Sequence, residues 1–252
     1  MHWNPKYFTT IDSTNNRLRE LAEDGAREGT IVTAECQTYG KGRMGRSFLS
    51  PEKVGLYMSI LVRPNMPAED ALFLTTLTAV ACAKAIDDIS DVKSGIKWVN
   101  DIYVDGKKVC GILTESSVND KSGQLDYAVV GIGINLFEPE GGYPDDIKTV
   151  AGSIFSREDY DEATFAQLKD ELAEKIMDYF EKYYEAYPEL LYVDEYIDRS
   201  ILIDHEVTVV REGKPKQSKV LEIDKACRLH VQYEDGIDEW LQSGEVSLKI
   251  KK

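Results

Sequence analysis

The run Thr33–Ser50, TAECQTYGKGRMGRSFLS, most limits how this chain can fold, because it is unsuited to a packed core. Gly40, Gly42 and Gly45 interleave with the cations Lys41, Arg43 and Arg46. Glycine raises the backbone entropy lost on folding, and cations resist leaving water. The same composition suits a loop that closes over an anion. Glycines allow close approach, and guanidinium forks grip phosphate or carboxylate. From the residues alone, a basic surface loop and a phosphate-handling loop both stay open. The Walker pattern GxxxxGK[ST] is absent, KGRMGR lacks a hydroxyl partner for magnesium, and the glycines do not fall as GxGxxG.

The flanks of this run read as strands, Thr30–Ala34 entering it and Leu56–Val62 leaving it. Two strands would fix the loop's ends and leave its middle free. Upstream, Ile11-Asp12-Ser13-Thr14-Asn15 precedes a helical pattern with Leu18, Leu21 and Ala22 on one face, closed by Gly25. Asp12 or Ser13 can cap that helix; equally, the polar cluster can hydrogen-bond a ligand at the helix N-terminus.

Downstream, Ala68–Ile89 reads as an apolar helix whose alanines suit close packing on a sheet. Asp105-Gly106 is the strongest turn signal and predicts a type I′ hairpin, with Val109–Leu113 as the return strand. Lys107 and Lys108 have opposite parity and should reach opposite sides of the sheet. Lys97, Asn100 and Asp101 lie across that hairpin, which makes a polar cleft. Tyr127–Leu136, YAVVGIGINL, fits a central strand in which Gly131 and Gly133 leave room for a ligand or a neighbouring backbone. Asn135 at its end serves either as a turn cap or as a contact to nucleotide or magnesium. Residues Glu138 to Val150 read as a surface connection, and Ala163–Tyr187 as a long amphipathic helix with an aromatic core stripe.

Composition shifts near Arg199. Strand signals at Glu206–Arg211, Ser218–Ile223, Leu229–Tyr233, Ile237–Leu241 and Glu245–Lys249, with turns at Gly213-Lys214-Pro215 and Asp235-Gly236, predict a small β-barrel. It is small enough to need packing against the larger domain. The expected division is therefore 1–199 and 200–252.

At 252 residues, with 42% hydrophobic and 30% charged side chains, the chain can bury a substantial core. No apolar run has transmembrane length. Four scattered cysteines without CxxC and three scattered histidines argue against structural zinc or a disulfide scaffold, so a cytoplasmic location is expected. A net charge of −15 argues against general affinity for DNA or anionic membrane. The excess is local: Glu138 to Arg199 holds 18 acidic against 6 basic side chains, whereas Thr33 to Arg63 holds 5 basic and 2 acidic. A positive loop in an acidic protein can focus an anionic small molecule.

Taken in order, DSTN at Asp12–Asn15, Gln37 with GKGRMGR, KWVND at Lys97–Asp101, GKKVCGILTE, GIGIN and SGEVSL at Ser243–Leu248 resemble biotin–protein ligases over essentially the whole chain. The form resembled is the short one without an N-terminal DNA-binding domain. That resemblance implies an α+β fold: a mixed sheet with helices like the class II aminoacyl-tRNA synthetases, followed by a small SH3-like β-barrel. It implies an ATP-dependent ligase that makes biotinyl-5′-AMP and passes biotin to a lysine of a biotin carboxyl carrier protein. By the same resemblance, Ser13, Thr14, Asn15 and Gln37 position biotin, and Lys41, Gly42 and Arg43 line its acyl and phosphate region. Arg43 and Lys108 are the catalytic cations. Lys97, Asn100, Asp101 and Asn135 join them around ATP, and Asp101 helps to hold Mg2+. Lys41 stands where the family often has arginine, Val99 replaces the usual proline, and Met44 fills a position often basic. The alternatives are a lipoate or related acyl ligase, or a vitamin-binding regulatory module without catalysis; a DNA-binding repressor is not expected, and a homodimer stays open.

Overall fold

The computed structural model describes residues 1–248 other than 160, 212, 213 and 243. Gly213 of one expected turn, Ser243 of the SGEVSL stretch and Lys249 of the last expected strand lie outside the described residues. In chain order come β1 (Asn4–Ile11), α1 (Thr14–Glu23), β2 (Thr30–Gln37), β3 (Gly55–Val62), α2 (Ala71–Ile89), β4 (Gly95–Lys97), β5 (Asp101–Val104), β6 (Lys107–Val118) and β7 (Leu125–Asn135). Helices α3 (Glu162–Glu185) and α4 (Val193–Asp198) follow. The seven strands form one sheet in the order β1-β2-β3-β7-β6-β5-β4, parallel only between β1 and β2. This is the α+β architecture with a mixed sheet that was expected.

Strand β3 is buried along its whole length, and β7 nearly so, because helices cover both faces. Leu18 and Ala22 of α1 pack on Val32, Leu61 and Val129. On the other face, Ile60, Val130, Ile132 and Ile134 join the alanine-rich α2 and the inward stripe Phe165, Leu172, Ile176 and Phe180 of α3. Strand alternation therefore sorts the GIGIN stretch. Its isoleucines enter the α2 core, and its glycines face α1.

The Asp105-Gly106 turn has positive φ at both residues, 49° and 73°, as a type I′ hairpin requires. The return strand begins earlier and runs further than expected, from Lys107 to Val118.

The C-terminal strands are β8 (Glu206–Arg211), β9 (Lys214–Ile223), β10 (Leu229–Tyr233), β11 (Asp238–Leu241) and β12 (Glu245–Leu248). All five expected strands are present, but the expected SH3-like barrel is not. They form an open antiparallel sheet in the order β11-β10-β9-β8-β12. Its edge strands have four residues each, and no ladder joins them among the described residues. Closing a barrel requires such a ladder between its first and last strands. Instead the apolar side of the sheet, with Val207, Val209, Val220, Leu229 and Val231, is continuous with the core of the larger unit. The indole N–H of Trp98 donates to the carbonyl of Cys227 at 2.8 Å, and Ile96 bridges to Ser200. Lys214 and Pro215, read as a turn, belong to β9. No helix among the described residues is long and apolar enough to cross a membrane.

Candidate active site

A cleft opens on the α1 face of the sheet, between the N-terminus of α1, the glycine loop and the β5–β6 hairpin. Its floor is made of glycines. Gly111 of β6 pairs with Gly133 of β7, and Leu113 pairs with Gly131. A Cβ on Gly131 would meet Asn15 Oδ1 at 2.1 Å, and one on Gly133 would meet the Phe48 ring at 2.6 Å. The room expected beside these glycines is therefore taken by Asn15 and Phe48.

Above the floor, a hydrogen-bonded chain fixes the N-terminal end of α1. Ser13 is the N-cap residue by its extended backbone, yet its side chain makes no capping bond. The expected local cap, by Asp12 or Ser13, is supplied from elsewhere. Gln37 Oε1 accepts from the Thr14 amide at 2.8 Å and from its hydroxyl at 3.1 Å. Asp12 instead accepts from Asn16 Nδ2 at 2.5 Å. Burial pushes the Asp12 carboxyl up, but the Asn16 bond, backbone amides and Lys41 together hold it below the usual carboxylate range. Ser59 Oγ bonds Thr14 Oγ1 at 2.8 Å and Asn15 Oδ1 at 2.7 Å. Gln37 Nε2 completes the chain by donating to Ser50 Oγ at 2.8 Å.

The glycine loop forms a short hairpin. Gln37 bridges to Ser50 and Lys41 to Ser47, and the Gly42 amide donates to the Arg46 carbonyl at 2.7 Å. Gly40 is required: a Cβ there would lie 2.3 Å from the Phe48 carbonyl. At the exposed tip, Met44 and Gly45 both take positive φ, which aims Arg43 inward. Arg43 Nη1 donates to Asn100 Oδ1 at 3.0 Å, and Nη2 to the Gly244 carbonyl at 3.3 Å. Lys41 pairs with Glu115 at 3.2 Å.

Across the cleft, Lys108 Nζ lies 2.6 Å from Asp101 Oδ1. That oxygen is buried, and its geometry to the ammonium satisfies charge but not hydrogen-bond direction. Lys107 turns the other way and donates to the carbonyls of Lys148 and Thr149 at 3.1 and 2.8 Å. The opposite parity read for the two lysines is therefore realised. Asn100 is anchored by donating to the Ile112 carbonyl at 2.8 Å, and the Lys97 ammonium lies 5.8 Å from the Tyr103 ring centre. Burial, then the nearby Asp101, pushes the Tyr103 hydroxyl up to about 12.

Of the residues singled out, Ser13, Thr14, Asn15, Gln37, Lys41, Gly42, Arg43, Lys97, Asn100, Asp101 and Lys108 all border this one cleft. Asn135 stands apart from its lining. Its amide donates to the Gly152 carbonyl at 3.0 Å, which ties down the end of β7. Sequence reasoning missed Phe48, Ser59 and Glu115. Ser59 carried a signal, as the small hydroxyl in the otherwise apolar run LYMSILV. Phe48 had none, because its place depends on the fold of the loop.

The model of the biotin/lipoate A/B protein ligase family matches residues 7–135, which contain the cleft's cations, amides and glycine floor. The chain belongs to that family. Among similar proteins, the bifunctional ligase/repressor BirA of Bacillus subtilis is 39% identical over 148 residues, 59% of this chain and 45% of that protein. The biotin–[acetyl-CoA-carboxylase] ligase of Paracoccus denitrificans is 37% identical over 137 residues, 53% of each. This family member thus spans about half the length of the curated relatives it matches. Among solved structures, biotin protein ligase from Aquifex aeolicus in complex with biotin and ATP superposes with a TM-score of 0.74 at 27% identity, covering 98% of both chains.

Proposed function

We propose that this chain is an ATP-dependent biotin–protein ligase. It forms biotinyl-5′-AMP and transfers biotin to a lysine of a biotin carboxyl carrier protein. The observation that carries the reading is the convergence of Arg43 and Lys108 on one glycine-floored cleft beside the amide and hydroxyl cluster of Ser13, Thr14, Asn15 and Gln37. The likeness to a ligase described with biotin and ATP, over 98% of both chains, supports it. Residues 1–199 form the catalytic unit in this reading, and 200–252 reach into the cleft through Gly244 and Val246. The four free cysteines and the absence of a spanning helix among the described residues fit a cytoplasmic enzyme.

The chemistry follows from the substrates. A carboxylate is a poor acyl donor to an amine, since oxide would have to leave. An oxygen of biotin's carboxylate therefore bonds to the α-phosphorus of ATP, and the bond to pyrophosphate breaks. Lys108 is placed to turn from Asp101 toward the reacting oxygens. Arg43 is placed to leave Asn100 for the phosphate, so both cations offset negative charge as it develops. The nitrogen of the carrier lysine, arriving without its proton, then attacks the carbonyl and AMP departs. Loop closure would keep water from the mixed anhydride in the meantime.

Asp101, with its buried Oδ1 lacking a directed hydrogen bond, fits a role in holding Mg2+ together with substrate phosphates. Such an ion would neutralise phosphate charge. No group of three or more ligating side chains exists among the described residues, which agrees with an ion held mainly by substrate.

Biotin-dependent exchange of pyrophosphate into ATP tests the reading, with lipoate in a parallel reaction. Exchange with biotin but not lipoate is the expected outcome. Exchange with lipoate alone would make this an acyl ligase of the other kind, and binding without exchange would make it a non-catalytic module.

A further inference from the structure

Glu115 touches both halves of the recognition site. It lies on β6 opposite Val129, on the strand face that carries Gly111 and Leu113. Its Oε2 accepts from Asn15 Nδ2 at 2.8 Å, and its Oε1 lies 3.2 Å from Lys41 Nζ. The orientation of the Asn15 amide is dictated by its partners. The Leu113 carbonyl, at 3.2 Å, and the Glu115 carboxylate are both acceptors, so they require the NH2 group on their side. Ser59 then donates to the other side at 2.7 Å. Lys41, for its part, sits in the rung of the loop hairpin opposite Ser47. One carboxylate thus joins strand β6, the N-terminal end of α1 and the glycine loop.

We propose that Glu115 is a positioning residue that holds the glycine loop against the recognition end of α1, through separate carboxylate oxygens on Asn15 and Lys41. The proposal rests on the function given above and assigns the coupling between biotin recognition and loop closure. A ligand that settles Asn15 stiffens Glu115, and a settled Glu115 anchors Lys41 at the base of the loop. The loop then closes from a fixed foot, and the adenylate is retained.

Glu115→Gln separates the two contacts. It keeps the size of the side chain and an acceptor oxygen for Asn15, but removes the negative charge facing Lys41. Biotin affinity, measured by calorimetry, is expected to stay within about twofold, while escape of adenylate quickens about fivefold, as loss of a partly exposed ion pair permits. Lys41→Met should give a similar escape rate, and the double variant should be no faster than either single one. A second readout needs no catalysis: in the ligand-free protein, tryptic cleavage after Arg43 and Arg46 should quicken selectively in Glu115→Gln at an unchanged melting temperature. Adenylate escape and loop cleavage both unchanged within twofold would overturn the proposal, as would effects that multiply in the double variant. Cleavage raised across the whole chain with a lowered melting temperature would show a merely structural role. Were the unmodified protein to show no biotin-dependent exchange, the proposed function would fall, and the tryptic readout would still decide whether Glu115 holds the loop.

Discussion

Lys107 and Lys108 are neighbours in the chain with opposite tasks, and the difference is one step of strand parity. Lys108 meets Asp101 in the cleft, whereas Lys107 closes off two carbonyls of the 138–150 connection on the other side. Replacing Lys108 by alanine should slow single-turnover adenylation by roughly 30- to 1000-fold, the effect of about 2–4 kcal/mol of lost transition-state stabilisation. Lys107→Ala should leave that rate within a few fold, and circular dichroism should report both variants folded. The reverse result would mean that the hairpin register is misread. Gly131 offers a second test at this scale. A methyl group there would displace Asn15 Oδ1, its 2.1 Å neighbour, and break the bond from buried Ser59. Gly131→Ala should therefore weaken biotin binding by about 1–3 kcal/mol in calorimetry, through one unsatisfied buried group. An unchanged affinity would remove Asn15 from the recognition site.

At the scale of elements, what could be read in the chain depended on whether the signal was local. The Asp105-Gly106 turn carries its own backbone requirement, and α1 its own periodicity and closing glycine, so both were legible. The capping of α1 by Gln37 spans 23 residues, and no local pattern shows it. Strand β1 escaped notice because it is an edge strand with most side chains exposed, lacking the apolar alternation of its neighbours. The C-terminal strands were legible one by one, but whether they close on themselves depends on the surface they pack against. Helix α4 was missed for its length of six residues, yet it anchors a charged cluster. Arg199 binds Asp87 of α2 at 2.7 Å and Glu195 of α4 at 2.8 Å. Burial pushes the Glu195 carboxyl up, but bonds from Arg199 and Lys84 outweigh it and hold it below its ordinary value. A lowered folded-state pKa contributes stability above the unfolded pKa and loses it as pH falls through the folded one. Calorimetric scans from pH 6 down to about pH 3 should therefore show a melting temperature that falls more steeply in the unmodified protein than in Glu195→Gln. Parallel curves would remove Glu195 from the acid response.

At the scale of the molecule, charge and core continuity set the remaining expectations. The acidic excess between Glu138 and Arg199 would repel an acidic carrier domain, so docking should rely on local contacts around the cleft rather than on the face of α3. Chemical-shift mapping with an apo carrier should place the footprint around the cleft, and a footprint confined to α3 would refute this. The C-terminal sheet raises a different question: whether it unfolds alone. Its apolar side and the α2 core form one cluster, and polar ties also cross the junction. Among these are the Trp98 bond to Cys227, the bond from the Arg43 guanidinium to the Gly244 carbonyl at 3.3 Å, and the bridge of Ile96 to Ser200. A shared core of this kind couples the two parts, so heating should give one cooperative transition. Trp98→Phe keeps most of the apolar surface but leaves the Cys227 carbonyl without its donor in a buried setting. That should cost about 1–3 kcal/mol and lower the melting temperature by roughly 2–10 °C. The decisive feature is the shape of the transition: the whole peak should move down as one. A Trp98→Phe trace that splits, with the sheet melting first and the remainder at the original temperature, would show that residues 200–252 are held to the larger unit only by that contact and not by a common core.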